Sequence, residues 1–525
     1  GIIMNKSMKQ LTQFAACAIA ALSVVACSSD DTAQQDNAKQ NTAKGVATFD
    51  GSQPGDDTRA LTRTTATYTL GGDAKVFWTS ADKIFVQDDA NTFHQSNAAN
   101  LYNPSNKAKA IFSLASGSFT LNNREVRYTG ENGTDANTVT IATTQTQITA
   151  NDFSHLGTSG DCGTATATGS NGNYTFTLNH KASYLCFVPR CMNTDLGPNI
   201  KLTKIKVTAN QPIAGKYDFS TGSLAQKAGE TYSNTVTLNT SDFSLNTTSS
   251  SLATNGAYMV VAPGTYNFTI TYTIKDPTTN VEGDIVKTIA SYNCQEGKIN
   301  DITANLTPMD YPGHHYYMWD AQQNYWHGHE WNAAAHEQPT VLHGYNTNYP
   351  QNATVDPVRW YNSTFNGSGI ATSATQPFFS TLPNINEAIW YLMEGDPHWE
   401  ADALWSLMGH LYHGGMWFKK KNNIPGFNKL QYGGTDYRTT YHGFWKVSTK
   451  SRPTNTNEYF FLPAMGYYWQ GHLNELGTAG DYWTSSAHPT ASEFAYDLYF
   501  NKDGVEIMNP NERYYGFYAA YNLFE

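Results

Sequence analysis

Nine residues fix the secondary-structure class of much of this chain. In Tyr266-Asn-Phe268-Thr-Ile270-Thr-Tyr272-Thr-Ile274 apolar and polar side chains alternate without a break. A period of two puts every second side chain on one face of an extended strand, so that one face packs and the other meets water. Tyr174-Thr-Phe176-Thr-Leu178 and Ile205-Lys-Val207 repeat the pattern, and Trp78 to Val86 is strand-like. Gly71-Gly72, Gly169-Ser170-Asn171-Gly172, Pro263-Gly264 and Asp276-Pro277 punctuate these runs as turns. Short strands so punctuated predict β-sandwiches, and residues 46–307 have room for two in tandem. The chain has 525 residues and a formal net charge of −11, which disfavours nucleic acid, a ligand that rewards clustered Lys and Arg. Aromatic residues make up 13%, too many apolar surfaces for a disordered chain. Heptads are absent and the one long apolar run lies at the N-terminus, so coiled coils and polytopic membrane proteins are excluded.

Gly1-Ile2-Ile3 precede Met4 or Met8, either of which is the expected start. Lys6 and Lys9 form a positive segment ahead of an apolar run, residues 11–26, that is short for a bilayer span. It closes in Val24-Val25-Ala26-Cys27, which resembles a bacterial lipobox. The resemblance implies a signal peptide over 1–26, cleavage before Cys27 and lipid on Cys27, which would anchor the precursor in the outer membrane. Ser28-Ser29-Asp30-Asp31 resembles the surface-export signal of Bacteroidetes lipoproteins, and residues 27–45 are expected to be a flexible tether. Cys162, Cys186, Cys191 and Cys294 follow without a CxxC or zinc spacing. Export permits disulfides among them, three pairings are possible, and buried thiols are an equal expectation.

Several segments in a fixed order resemble the fimbrillin (Mfa-like) pilins of Bacteroidetes. They are Trp78 with Asp82-Lys83-Ile84, Leu178-Asn-His180-Lys-Ala182, Tyr217-Asp-Phe219, Tyr258 to Pro263, and Gly297-Lys298-Ile299 opening a last strand that ends near Leu306. Ala81 and Ser183 stand where the family has Gly and Ala. The resemblance implies an N-terminal sandwich over 46–175, a second over 176–307, and assembly on the cell surface with other pilin subunits by donor-strand exchange. Val46-Ala-Thr-Phe49 would be the first strand. In related pilins an Arg-specific protease cuts just beyond it, and here Arg59 or Arg63 would be the site. The cut would release lipid and strand together and leave an apolar groove for a donor strand.

Composition changes near residue 308. Eleven of the 12 Trp and 12 of the 15 His lie in 308–525. Helical spacing of apolar residues predicts helices over Ile385–Met393, capped by Asn384 or Asn386, and over Glu400–Tyr412. Phe460-Phe-Leu-Pro-Ala-Met-Gly-Tyr467, Gly480-Asp-Tyr-Trp483-Thr-Ser-Ser486, Leu498-Tyr-Phe500 and Gly516-Phe517 resemble the FISUMP family, which has a C-type-lectin-like fold. Residues 308–525 are therefore expected to form an α+β lectin-like domain after the mainly β part. The terminal Cys of that pattern and the EPN, QPD and WND motifs of calcium-dependent lectins are missing. Trp390, Trp405 and Trp483 are read as core, because large rings fill folds with little regular structure. Trp417, Tyr437 and Trp445, near Asp436, Arg438 and His442, are the candidate ligand-binding residues, suited to stacking on a sugar or docking a protein. His327, His329 and His336 do not have a zinc spacing, so no metal is expected, and no cofactor. Asp481 with Glu475 invites an acid–base reading, but no catalytic motif accompanies it, and no enzyme is expected.

The order of lipobox, tether, removable strand, two sandwiches and lectin-like domain leads to one expectation. The chain is a fimbrial tip subunit, an adhesin whose last domain binds a carbohydrate or protein on a target surface. The alternative is a lipid-anchored surface protein that binds glycan or protein and never polymerises.

Overall fold

The computed structural model describes residues 2–3, 46–53, 70, 77–103, 106–508, 510–520 and 522–525. The fold is mainly β, with several sandwich-like sheets. Two compact units are distinguished: residues 1–275 with 284–307, and residues 276–283 with 308–525.

In the first unit a nine-stranded sheet runs Phe93–Gln95, Phe85–Gln87, Asn123–Tyr128, Gly163–Ser170, Asn173–Thr177, Ala47–Ser52, Asn106–Leu114, Asn100–Asn103, with Asn179–His180 on Gly163–Ser170. Ala47–Ser52 lies inside it, parallel to Asn173–Thr177 and antiparallel to Asn106–Leu114. Its side chains alternate, with Ala47 and Phe49 buried and Thr48 and Asp50 half-buried. Phe49 stacks on Tyr174 with ring centroids 4.8 Å apart, and Trp78 sets its edge on Phe112 at 4.9 Å. Gly51 lets the Phe176 ring cross the strand, since a Cβ there would lie 2.4 Å from it. Trp78 is buried but stands ahead of the strand, which begins only at Phe85.

The alternating run at Tyr266 belongs to Gly264–Asp276, with Tyr266, Phe268, Ile270, Tyr272 and Ile274 all buried. This strand pairs with Lys201–Ala209 in a five-stranded sheet, and a four-stranded sheet contains Ser183–Arg190 between Ile299–Asn305 and Ala257–Val261. Cys162, Cys186, Cys191 and Cys294 are buried thiols, none in a disulfide. Burial drives the Cys162 and Cys186 thiols well above their ordinary range and Cys294 up to about 12, so none is a ready nucleophile.

In the second unit a four-stranded sheet orders Met309–Tyr311, His398–Leu407, His410–Lys419 and Tyr459–Pro463. The larger sheet orders Tyr316–Tyr317, Phe517–Tyr518, Ala479–Ala487, Phe494–Asn501, Gly504–Ile507 and Phe444–Val447, with Asn511–Glu512 on Phe494–Asn501. The helix Ile385–Glu394 forms as its spacing predicts. Asn384 Oδ1 accepts from the Glu387 amide at 3.0 Å, and the Asn384 amide in turn donates to Glu387 Oε1 at 3.2 Å.

The helix expected over Glu400–Tyr412 is instead a hairpin of His398–Leu407 and His410–Lys419. Leu407 faces His410 across a two-residue turn, Met408-Gly409, and both turn residues have positive φ, 49° and 78°. That conformation matches strand twist and ends a helix, so the turn overrides the spacing. A bulge between Glu400 and Leu404 lets a helix-like spacing of apolar residues coexist with strand pairing. Trp405 and Trp483 are fully buried, and Trp390 is half-buried, its ring edge on Tyr432 at 4.9 Å.

Candidate functional site

Residues paired across antiparallel strands share a face of the sheet. Trp445 pairs with Glu506, Glu506 with Tyr499, and Tyr499 with Asp481. Four strands therefore carry one row, Trp445, Glu506, Tyr499, Asp481, on one face. Asp497 pairs with Trp483, two residues on from Asp481, and so joins the same face. Trp445 is 52% exposed at the outer end of the row, and Asp481 at the inner end is 4% exposed.

The row leads into a cavity of about 240 Å³. Glu475, Asp481, Asp497 and Glu506 line it, and no Lys or Arg does. The remaining wall is aromatic: Tyr467, Tyr515 and Phe517 meet there, with Tyr515 and Phe517 stacked at 5.2 Å and Tyr467 edge-on to Phe517 at 5.6 Å. The Asp481 and Asp497 carboxyls are direct neighbours, too close for both to be charged without cost. Burial, reinforced at Asp481 by the Asp497 charge, raises both carboxyls above the ordinary range, and burial raises Glu475 as well. Asn511 Nδ2 donates to Asp497 Oδ1 at 3.0 Å. Asp481 Oδ1 is buried with no hydrogen-bond partner. A buried acceptor left so costs about 1–3 kcal/mol, which a ligand donor could recover.

The three residues expected to bind ligand are not brought together. Trp445 and Phe444 point to opposite faces of their strand, and the Tyr437 ring sits edge-on to Phe444 at 5.0 Å, away from the Trp445 row. The Tyr437 amide donates to Asn386 Oδ1 at 2.9 Å. Beside it Arg438 grips Asp436 at 2.8 Å and holds that carboxyl down at about 2. Trp417 belongs to the other sheet. Its indole N–H donates to Glu400 Oε2 at 2.7 Å, and the Arg452 guanidinium lies 5.5 Å from its ring. Cys27, Arg59 and Arg63 lie outside the described residues.

His329 Nδ1 lies 2.9 Å from Glu337 and His336 Nδ1 2.6 Å from the Trp331 carbonyl. Among the described residues no group of three or more His, Cys, Asp or Glu is placed to hold a metal. Glu475 and Asp481, whose acid–base reading the sequence did not support, line one cavity. Asp497, Glu506 and Asn511 escaped that reading. The signal for Asp497 and Glu506 was the alternation in Tyr496-Asp497-Leu498-Tyr499-Phe500 and Gly504-Val-Glu506-Ile, which becomes informative only once the strand register is known.

No protein-family model matches the chain, and no curated protein does. Some solved structures of Bacteroides proteins match the chain weakly. One, provisionally named a cell adhesion protein of Bacteroides ovatus, is 13% identical over 50% of this chain and 93% of its own, with a TM-score of 0.31. A second with that provisional name, from Bacteroides uniformis, is 14% identical over 50% of this chain and 95% of its own, with a TM-score of 0.28. A third, provisionally named for polysaccharide binding, from Bacteroides thetaiotaomicron, is 9% identical over 50% of this chain and 92% of its own, with a TM-score of 0.23.

Proposed function

We propose that this chain is a cell-surface adhesin, the tip subunit of a fimbria, coupled to its neighbour by a strand that takes the place of Ala47–Ser52. One observation carries the reading. Ala47–Ser52 is an inner strand of the nine-stranded sheet, paired on both sides, with Phe49 fully buried. It is joined to the next strand of its sheet, Phe85–Gln87, through residues 53–84, which contain Arg59 and Arg63. A cut at either Arg frees the strand covalently and leaves two unpaired ladders flanking an apolar slot. An extended segment of another subunit fills such a slot with the same backbone hydrogen bonds.

The fimbrillin resemblance supports the same reading, with Cys27 as the lipid anchor before the cut. Among the described residues no helix is long and apolar enough to cross a membrane. The tip position is supported by the second unit. Phe517–Tyr518 pairs into the larger sheet, Ala519 and Ala520 are buried, and Phe524 packs on Tyr391 and Phe460. These residues are part of the sheet and core of the second unit, which gives the chain a folded body besides the strand-accepting one. The face that meets the target is the aromatic and acidic row from Trp445 to Asp481.

N-terminal sequencing of filaments sheared from expressing cells tests this. The expected mature start is Ala60 or Thr64. Lipidated Cys27 on every molecule would sink the polymer and leave the anchored, non-polymerising binder.

A further inference from the structure

The cavity at the inner end of the Trp445 row has an unusual balance of chemistry. Four carboxyl groups face it and no cation does. None of Glu475, Asp481, Asp497 or Glu506 makes an ion pair among the described residues. Asp481 is only 4% exposed, and its Oδ1 has no donor. Burial makes these carboxyls hold protons to higher pH, which meets part of the cost of an acidic site in a low dielectric; a positive partner would meet the rest. The chain supplies none here.

Two features choose among possible cations. A hard divalent ion wants six or more oxygens around it, and no three acidic side chains among the described residues are close enough to supply a ready cage. The rest of the lining is instead largely aromatic, with Tyr467, Tyr515 and Phe517 in mutual contact and the exposed Met508 beside them among the lining residues. Aromatic faces attract ammonium groups and pack against the carbon framework that bears them. We infer that this cavity binds a primary ammonium group on a short alkyl or sugar framework, with Asp481 and Asp497 accepting its N–H bonds and the aromatic wall holding its carbons. Glu506 and Trp445 lie along the approach, so the row guides the charged end inward and stacks the framework trailing behind it. An ammonium has three donors, enough to satisfy Asp481 Oδ1 while Asn511 continues to serve Asp497.

This rests on assigning the target-binding face to the second unit, and it is independent of strand exchange: failed polymerisation would leave it intact. The test is calorimetric and NMR titration of the full chain with n-butylammonium, D-glucosamine, uncharged N-acetylglucosamine and calcium. Saturable binding of either amine, with N-acetylglucosamine at least ten-fold weaker, is the expected result. Butylammonium alone would point to a lysine-like side chain, and glucosamine the tighter of the two would point to an amino sugar. Asp481→Asn should weaken the amine at least ten-fold. Glu506→Gln, a half-buried position on the approach, should weaken it several-fold and guards against loss of folding in the first variant. Equal binding of the uncharged sugar, calcium binding that excludes the amines, no saturable amine binding, or amine binding indifferent to both variants would each overturn the assignment.

Discussion

Asp82 ties a loop to the core of the first unit. Its carboxyl accepts from the Thr79 amide at 2.7 Å and from the Tyr128 hydroxyl at 2.6 Å, and it is 2% exposed. Burial outweighs those bonds and pushes its pKa up to about 6 from 3.8. A raised carboxyl stabilises the fold while it is protonated. That contribution is complete below the unfolded value and is lost as the pH rises through the folded one, between about pH 4 and 6, at a cost of about 3 kcal/mol. Asp82→Asn should therefore flatten the fall in urea midpoint between pH 4 and 6.5 by about one proton's worth of slope. Asp497 titrates in the same direction but is present in both proteins, so the difference in slope isolates Asp82. A variant with an unchanged slope would show that Asp82 is ionised in the fold at all these pH values. Gly51 gives a second, purely steric case. Its missing Cβ is the space the Phe176 ring occupies, so Gly51→Ala should destabilise the first unit by about 1–3 kcal/mol in denaturant unfolding.

Turn and cap chemistry decided which elements the sequence disclosed. The helix Ile385–Glu394 was legible because Asn384 and Glu387 stand at capping-box spacing before an apolar stripe. The hairpin at 398–419 was not, since a bulge at Glu400 imitates helical spacing and only Met408-Gly409 betrays the turn. Gly409 sits at φ 78°, a conformation that glycine and asparagine tolerate and β-branched residues do not. Gly409→Val should cost about 2 kcal/mol or more and Gly409→Asn less than half of that, as read by thermal unfolding. Equal losses would mean the turn is held by its strands alone. Asn384→Ala should cost about 1 kcal/mol, with the loop bond from Asn384 Nδ2 to the Lys429 carbonyl lost as well. The candidate site was half legible for a related reason. Trp445, Glu475 and Asp481 could be picked out as residue types, but the row that joins Trp445 to Asp481 exists only through the register of three consecutive strands and a fourth, Phe444–Val447, that is distant in sequence. Register comes from turns and packing, not from local pattern.

At the scale of the whole chain, the proposed strand exchange requires that the segment closing the sheet, Ala47–Ser52, need not belong to it covalently. Phe49 fills the space between Tyr174 and Phe119, the Trp78 indole N–H donates to the Gly51 carbonyl at 3.3 Å, and the strands on both sides depend on the segment for their ladders. A chain expressed from Thr64 lacks all of this. Losing one buried Phe alone costs about 3–5 kcal/mol, so the first unit of the shortened chain should melt well below that of the full chain. The second unit has its own core around Trp405, Tyr468 and Tyr482 and should keep its transition. A synthetic peptide spanning Val46–Gln53, added in excess, should raise the lower transition in proportion to the logarithm of its concentration. The slot also sets a pattern on its inward positions: small at Ala47, aromatic at Phe49 and no side chain at Gly51. A peptide with Phe49→Asp should have no effect, and one with Gly51→Val should bind far more weakly. If the shortened chain melts with the full one, or if all three peptides act alike, the strand is not an exchangeable plug and the coupling between subunits must lie elsewhere.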